Sequence, residues 1–318
     1  MDRPGAVAAL RAALTGFLRE HAAGEDRWCV ALSGGADSLA LTAVAASLLP
    51  TTALIVDHRL QPQSGAVAAA AREQAAALGC VGAEVLCVEV GVEGGPEAAA
   101  RTARYSALDT ARDGAPVLLA HTLDDQAETV LLGLGRGSGA RSIAGMRPYA
   151  PPWWRPLLGV RRAVTHAACV ELGLTPWHDP HNTDPRFTRV RVRGEVLPLL
   201  EEVLGGGVAG ALSRTATALR EDSDALDGIA GQTLARVGAD LDIALLRPLP
   251  DAVRRRVIRG WLLAGGASGL TDKQIRSVDA LVTDWRGQGG VAVPGGLTRE
   301  RLFAGRRSNV LTLYREPV

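Results

Sequence analysis

The sequence predicts an α/β fold, a doubly wound parallel sheet followed by a smaller, mainly helical C-terminal domain. Three observations carry that prediction. Short apolar runs alternate with longer alanine-rich amphipathic runs from Trp28 to His121, the pattern of strands buried between two helix layers. A glycine-containing turn, Ser33-Gly34-Gly35-Ala36-Asp37-Ser38, directly follows the first apolar run. The length of 318 residues also exceeds what one hydrophobic core usually serves, so a second domain is expected.

Taken in order, residues 6–18 read as an amphipathic helix, since Arg11 interrupts the apolar run and no small-residue cleavage site follows. A strand is predicted over 28–32, a helix over 38–47 and a strand over 52–57. The next helix, 64–78, is closed by Gly79, which takes the left-handed position beyond a helix end at no steric cost. A strand over 84–90, a helix over 96–112 and a strand over 117–121 complete the repeat. In such sheets ligands bind beyond the carboxyl ends of the strands, where Ser33, Asp57 and His121 fall. After Gly133, glycine and proline dominate as far as Pro156, and the segment reads as a loop region over the site. Helical pattern returns over 160–172 and 189–204. The run Gly205-Gly206-Gly207 marks the expected boundary, giving domains 1–205 and 206–318. Beyond it the chain reads as helical to about Trp285, then as strands with turns at Pro294, Gly295, Gly296 and Gly305.

Hydrophobic residues at 47% and charged residues at 22% are the balance of a globular chain and exclude disorder. No apolar run approaches the ~20 residues that span a bilayer, so a cytoplasmic protein without membrane attachment is expected. The four cysteines, Cys29, Cys80, Cys87 and Cys169, form neither a CxxC pair nor a zinc-ligand spacing and read as buried, reduced thiols. The net charge of +1 does not advertise nucleic acid. It hides a local excess, however: residues 136–193 hold ten arginines, among them Arg136, Arg155, Arg189, Arg191 and Arg193, against three acids. Arginine binds phosphate through a fork, so this segment could follow an RNA backbone, with Tyr149, Trp153, Trp154 and Trp177 available either for stacking or for core packing.

Strand, then Ser33 to Ser38, then helix places successive backbone N–H groups and a helix N-terminus around one anion. A helix cap alone would also use serine and aspartate, but the strand context favours phosphate binding. No Walker lysine is present. Asp37 beside a polyphosphate is repulsive unless Mg²⁺ or a substrate cation lies between them, so Asp37, with Asp125, is a candidate Mg²⁺ ligand. The second constellation is His121-Thr122-Leu123-Asp124-Asp125-Gln126-Ala127-Glu128-Thr129. Thr122 and Asp125 have capping-box spacing, which accounts for part of the acidity. Glu128 lies i+4 from Asp124 and i+3 from Asp125, which stacks like charge on one helix face and calls for a cation.

The Ser33–Ser38 loop resembles the pyrophosphate loop of the N-type ATP pyrophosphatases, whose fold is adenine nucleotide alpha hydrolase-like. The resemblance sharpens at His121-x-x-Asp124-Asp125-Gln126-x-Glu128-Thr129 followed by Arg136-Gly137-Ser138-Gly139. Together with Asp57-His58, Glu97, Ala100-Arg101, Arg104-Tyr105, Gly145-Met146 and Arg155-Pro156-Leu157-Leu158, it is similar to the tRNA(Ile)-lysidine synthetase family over roughly the first two thirds of the chain. Ser142-Ile143, His181 and Val190 depart from the family's usual residues. The resemblance implies a ligase that uses ATP and Mg²⁺ to adenylate the wobble cytidine of an isoleucine tRNA with a CAU anticodon, after which free L-lysine displaces AMP. It implies Asp37, His121, Asp124, Asp125 and Glu128 as catalytic. ATP would be held by Ser33, Gly34, Gly35, Ala36, Asp37, Ser38, Asp57, His58, His121, Arg136 and Gly137. For tRNA it implies Arg101, Arg104, Arg155, Arg189, Arg191 and Arg193, with the C-terminal domain binding tRNA as well; a homodimer is compatible. The rivals are a tRNA thiolase of the same superfamily, which would need paired cysteines, and an ammonia-using small-molecule synthetase, which would not need the arginines.

Overall fold

Residues 5–21, 24–59, 63–91, 95–137, 139–295 and 300–317 are described by a computed structural model. Ser138, Gly296 and the side chain of Glu97 lie outside the described residues. The elements are α1 (Ala6–His21), β1 (Trp28–Ala31), α2 (Ala36–Ala46), β2 (Thr51–Asp57), α3 (Ser64–Ala77), β3 (Gly82–Cys87), α4 (Pro96–Ala111), β4 (Val117–Leu118), α5 (Leu123–Gly135), α6 (Ala140–Ile143), β5 (Tyr149–Ala150), β6 (Trp153–Trp154) and α7 (Arg162–Glu171). They continue as a 3₁₀ turn (Pro180–Thr183), α8 (Thr188–Arg191), a π-helical turn (Val192–Val196), α9 (Leu197–Val203) and α10 (Val208–Leu234). Last come β7 (Leu241–Asp242), α11 (Ile243–Leu246), α12 (Asp251–Ala264), α13 (Asp272–Thr283), β8 (Val291–Val293), β9 (Glu300–Arg307) and β10 (Val310–Pro317).

Two units emerge, Met1–Gly137 with Ser142–Ala216, and Ser138–Arg141 with Thr217–Val318. The division falls inside α10, so Gly205, Gly206 and Gly207 belong to the first unit, where all three hold positive φ between α9 and α10.

The first unit is built on a sheet of order β3-β2-β1-β4-β6-β5. All pairings are parallel except β5 with β6. Every residue of β1 is buried, because both faces are covered. Trp28, Val30 and Leu32 join Leu10, Leu14, Leu39, Leu41 and Ala71 on one face, whereas Cys29 and Ala31 join Leu54, Leu108, Val117 and Leu119 on the other. Alternate residues thus enter two cores, which is why the run reads as continuously apolar. The strand order reverses direction between β1 and β4, the switch point at which such sheets open a crevice.

The expected alternation of elements is present, with β4 ending at Leu118, short of His121. The segment after Gly133 is not all loop. Tyr149–Ala150 and Trp153–Trp154 form a hairpin whose second strand extends the parallel sheet at Val117↔Trp153. Gly133 faces the backbone of Ser142, where a Cβ would stand 2.2 Å from the carbonyl oxygen; only glycine permits that approach.

The second unit packs α12 and α13 on an antiparallel sheet of order β7-β10-β9-β8 around Val257, Ile258, Leu262, Val278, Leu281 and Leu311. Buried Arg254 meets Asp279 at 2.6 Å and Asp251 at 2.8 Å. Gly305, expected at a turn, lies within β9, where a Cβ would stand 2.8 Å from the Tyr314 ring. The turn is made at Ser308, which holds φ 53. No single helix among the described residues is long and apolar enough to cross a membrane.

Candidate active site

The turn after β1 is tied to itself. The Ser33 N–H donates to Ser38 Oγ at 3.2 Å, the two hydroxyls lie 3.1 Å apart, and Ser38 Oγ donates to the Gly35 carbonyl at 2.9 Å. Gly34 holds φ +80, a conformation costly for any other residue, and its carbonyl accepts from the Trp177 N–H at 2.9 Å. Gly35 caps α2 with no side-chain donor or acceptor, so the helix's first N–H groups are left for a ligand.

Asp37, in the first turn of α2, is clasped by α7. Its Oδ1 accepts from Thr165 Oγ1, and its Oδ2 lies 3.4 Å from Arg162 Nε. Burial pushes its pKa up, against the pull of Thr165 and Arg162. Arg162 gathers the other acids as well: Nη2 reaches Asp125 Oδ1 at 2.6 Å and Nη1 reaches Glu128 Oε1 at 3.2 Å. Arg193 forks onto Glu128 with Nε at 2.7 Å and Nη2 at 3.0 Å. The π-helical turn at Val192–Val196 holds Arg193; the extra residue per turn alters where that side chain points. Glu128 is fully buried, and the like charge stacked on α5 is thus neutralised by arginines.

The remaining acids have structural duties. Asp124 Oδ2 accepts the Arg162 backbone N–H at 2.7 Å and so caps α7, with Arg161 at 3.1 Å from Oδ1. Asp125 Oδ2 closes the expected capping box, accepting from the N–H and the hydroxyl of Thr122 at 2.8 and 2.7 Å. Arg162 and these hydrogen bonds hold the Asp125 carboxyl below its ordinary range although burial opposes them. Gln126 clamps the backbone of Met146, donating to its carbonyl at 3.0 Å and accepting its N–H at 2.7 Å.

Two adjoining cavities share Ala31, Ser33, Arg104, Trp177 and Asp179. One, of about 310 Å³, runs along the end of β2 past Leu54, Val56, Asp57, His58 and Arg59. The other lies at the switch point between the Ser33–Ser38 turn, His121, Asp125, Arg162, His166 and Arg193. His121 is neutral: burial, with Arg155, Arg104 and Arg101, pushes its pKa down to about 3, and its buried Nδ1 has no hydrogen-bond partner among the described residues. Arg104 has no hydrogen-bond partner among the described residues, and burial with Arg101 nearby disfavours its charge; a guanidinium so placed is suited to an incoming anion.

Most of the expected site therefore converges on the switch point, with four corrections. Asp37 and Asp125 were expected to share Mg²⁺, yet Arg162 lies against both and the two oxygens of Asp125 are taken by Thr122, Arg162 and Arg193. Arg136 and Gly137 were expected at ATP, but they follow the C-terminal end of α5 and line neither cavity. That end lies about 18 Å from the helix start at 1.5 Å per residue. Arg155, expected to bind tRNA, is buried and donates to the Arg147 carbonyl at 3.1 Å. Arg104 and Arg193 also face inward, the first onto the cavities and the second toward Glu128, whereas Arg189 reaches Glu128 only at 4.0 Å with its side chain 39% exposed. Of the six expected RNA-facing arginines, Arg101 and Arg191 are exposed. Arg162 and Thr165 were not singled out as site residues, and Trp177 was expected to stack RNA rather than to line the crevice. Arg162 was visible only as one arginine among many, and Thr165 carries no local signal for a partner 128 positions away.

Comparison with known proteins shows the family and its domains. A PP-loop domain model matches residues 8–200, and a TilS substrate binding domain model matches residues 241–307. The tRNA(Ile)-lysidine synthase of Mycobacterium tuberculosis (strain ATCC 25618 / H37Rv) is 72% identical over 324 aligned residues, covering 100% of both chains. That of Mycobacterium leprae (strain TN) is 66% identical, again over 100% of both, and that of Nocardia farcinica is 61% identical over 96% of this chain and 98% of its own. Among solved structures, the U34-tRNA thiolase NcsA from Methanococcus maripaludis shares the fold, with a TM-score of 0.56 at 16% identity over 68% of this chain and 80% of its own.

Proposed function

Because the chain belongs to the tRNA(Ile)-lysidine synthase family of PP-loop ligases, we propose the following division of labour for its ATP-dependent reaction. The observation that carries it is the single crevice at the switch point onto which the Ser33–Ser38 turn, Asp37, His121, Asp125, Arg104, Arg162 and Arg193 all open. The N–H groups of the turn and α2 hold the pyrophosphate end of ATP, with Arg162 and Arg193 in place of a Walker lysine. The cavity past Asp57 and His58 takes the nucleoside. Arg104, between the two cavities, faces the α-phosphate that the wobble cytidine oxygen of the CAU-anticodon tRNA(Ile) attacks.

Mg²⁺ comes in with the triphosphate in this reading. Asp125 spends both oxygens on Thr122, Arg162 and Arg193, whereas Asp37 meets Arg162 only through the longest of that residue's three carboxylate contacts. Asp37 is therefore the carboxylate that fits the ion. When bound, Mg²⁺ would neutralise the departing pyrophosphate.

Free L-lysine then displaces AMP, and its ε-amine must first lose a proton. Asp124, Asp125 and Glu128 are engaged elsewhere, so Asp37 is the acid left to meet the ammonium once the ion has departed with pyrophosphate. His121, neutral and with an Nδ1 unpartnered among the described residues, is the acceptor for its proton; burial lowers its basicity most, and phosphate beside Arg104 would offset the part due to the neighbouring cations. The enzyme works in the cytoplasm, with tRNA and free L-lysine as its substrates and no membrane partner, and sedimentation of the purified chain reads whether it does so as a homodimer.

The order of steps is testable. Mixing the protein with tRNA(Ile) and ATP labelled in the α-phosphate, without lysine, should give AMP-bearing RNA. AMP appearing only when lysine is present, or on lysine itself, contradicts the order.

A further inference from the structure

The second unit contains a cluster of charge that its own fold does not balance. Arg141 Nη2 lies 2.5 Å from Asp227 Oδ1, and Arg256 Nε lies 2.8 Å from the same oxygen. Arg259, one turn along α12 from Arg256, makes no hydrogen bond or ion pair among the described residues. It is half-buried, and burial together with Arg141 holds its guanidinium below its ordinary range, with Asp227 opposing. Three guanidiniums thus surround one carboxylate, and the two ion pairs use one of its oxygens. Like charges gathered in this way work against the fold, and forked N–H donors left without acceptors fit a doubly or singly charged tetrahedral anion.

We propose that Arg141, Arg256 and Arg259 seat a backbone phosphate of the substrate tRNA, with Asp227 spacing two of the guanidiniums. This rests on the reading of the chain as a tRNA-modifying ligase. Arg256 and Arg259 fall within the matched substrate-binding model, whereas Arg141 and Asp227 lie outside its limits; the seat is therefore assembled from three separate stretches of chain. Arg141 supplies the most exposed of its ion-paired arginines, Arg256 being held back by its bond to the Ala252 carbonyl at 2.9 Å. RNA is favoured over a free phosphate compound because the cluster lines neither of the cavities that hold the glycine turn and the β2 end.

The test compares wild type with Arg259→Gln, Arg259→Lys and the double variant Arg141→Gln/Arg259→Gln, titrating a tRNA(Ile) transcript with a CAU anticodon at several salt concentrations. The double variant should raise Kd about tenfold and make the dependence of log K on log salt shallower by about 0.9 for each phosphate no longer neutralised. Arg259→Lys should keep most of the affinity. KM for ATP and kcat at saturating tRNA should be unchanged. Tm of Arg259→Gln without RNA should not fall, because a repelling charge without an ion-pair partner among the described residues has been removed. Unchanged Kd and salt slope in the folded double variant would overturn the seat. So would a rise in KM for ATP, which would make it a nucleotide site, or a drop in Tm that accounts for the weaker binding. A wild-type chain that does not bind the transcript at all contradicts the enzymatic reading instead.

Discussion

A carboxylate buried beside a phosphate loop would repel its own ligand, and Asp37 avoids this by leaning on Arg162 and Thr165. Asp37→Asn and Ser33→Ala should each slow pyrophosphate release, on the order of a hundredfold for a group aimed at developing charge; near-native rates would remove the loop from the mechanism. Glu128 is read through the arginines it holds. Glu128→Gln removes the buried carboxylate that Arg193 forks onto and leaves Asp125 to serve both Arg193 and Arg162; this should cost less than the roughly 3–5 kcal/mol of a fully unpaired buried charge, and Tm and adenylation should fall together. His121 gives a pH signature. Its folded pKa, near 3, lies below the unfolded value, so the unfolded chain takes up the proton first. Its contribution is complete above about pH 6.5 and is lost as pH falls, at roughly 1.4 kcal/mol per unit once the unfolded imidazole is protonated. Depressed Asp125 acts in the same direction. His121→Gln should flatten the fall of Tm between pH 7 and 5, and an identical slope in the variant contradicts a buried neutral imidazole. The residue types of the site were legible in the sequence. Their pairings were not, because Arg162 reaches Asp37 across 125 positions and no local rule points one arginine of ten at that acid.

Periodicity and capping made most of the elements legible. The alternation from Trp28 to His121 marks strands buried on both faces, and Thr122 with Asp125 announces the start of α5 by spacing alone. The hairpin at Tyr149–Trp154 was hidden because its strands are two residues long and are joined by Pro151-Pro152, which locally read as loop. The π-helical turn that carries Arg193 was hidden for a related reason: its sequence continues a helical pattern. Two glycines report how tightly these elements are set. Gly133→Ala must move the Ser142 backbone from 2.2 Å, and such overpacking typically costs about 1–3 kcal/mol. Gly145→Ala adds a strained φ of +62 to a clash with the Gln126 amide at 2.7 Å, so it should release the Met146 clamp. Denaturant midpoints check both, and an unchanged midpoint for Gly133→Ala contradicts the close approach.

At the scale of the whole molecule, strand order places the chemistry. The sheet reverses between β1 and β4, so the turn after one and His121 after the other face the same crevice, and α7 brings Arg162 against both acids. The sequence showed where the strands end, hence where a ligand would lie, but not that a neutral acid–arginine lattice rather than an open acidic trap would line the place. The central claim is that this crevice joins lysine to tRNA through an adenylated cytidine. It is tested most directly by supplying ATP, Mg²⁺ and labelled lysine with tRNA(Ile) bearing a CAU anticodon, and with the elongator methionine tRNA, whose anticodon is also CAU, as the comparison. Label should enter the isoleucine tRNA at its wobble cytidine with release of AMP and pyrophosphate, and the methionine tRNA should stay unlabelled. Label absent from both RNAs, or equal in both, would contradict it.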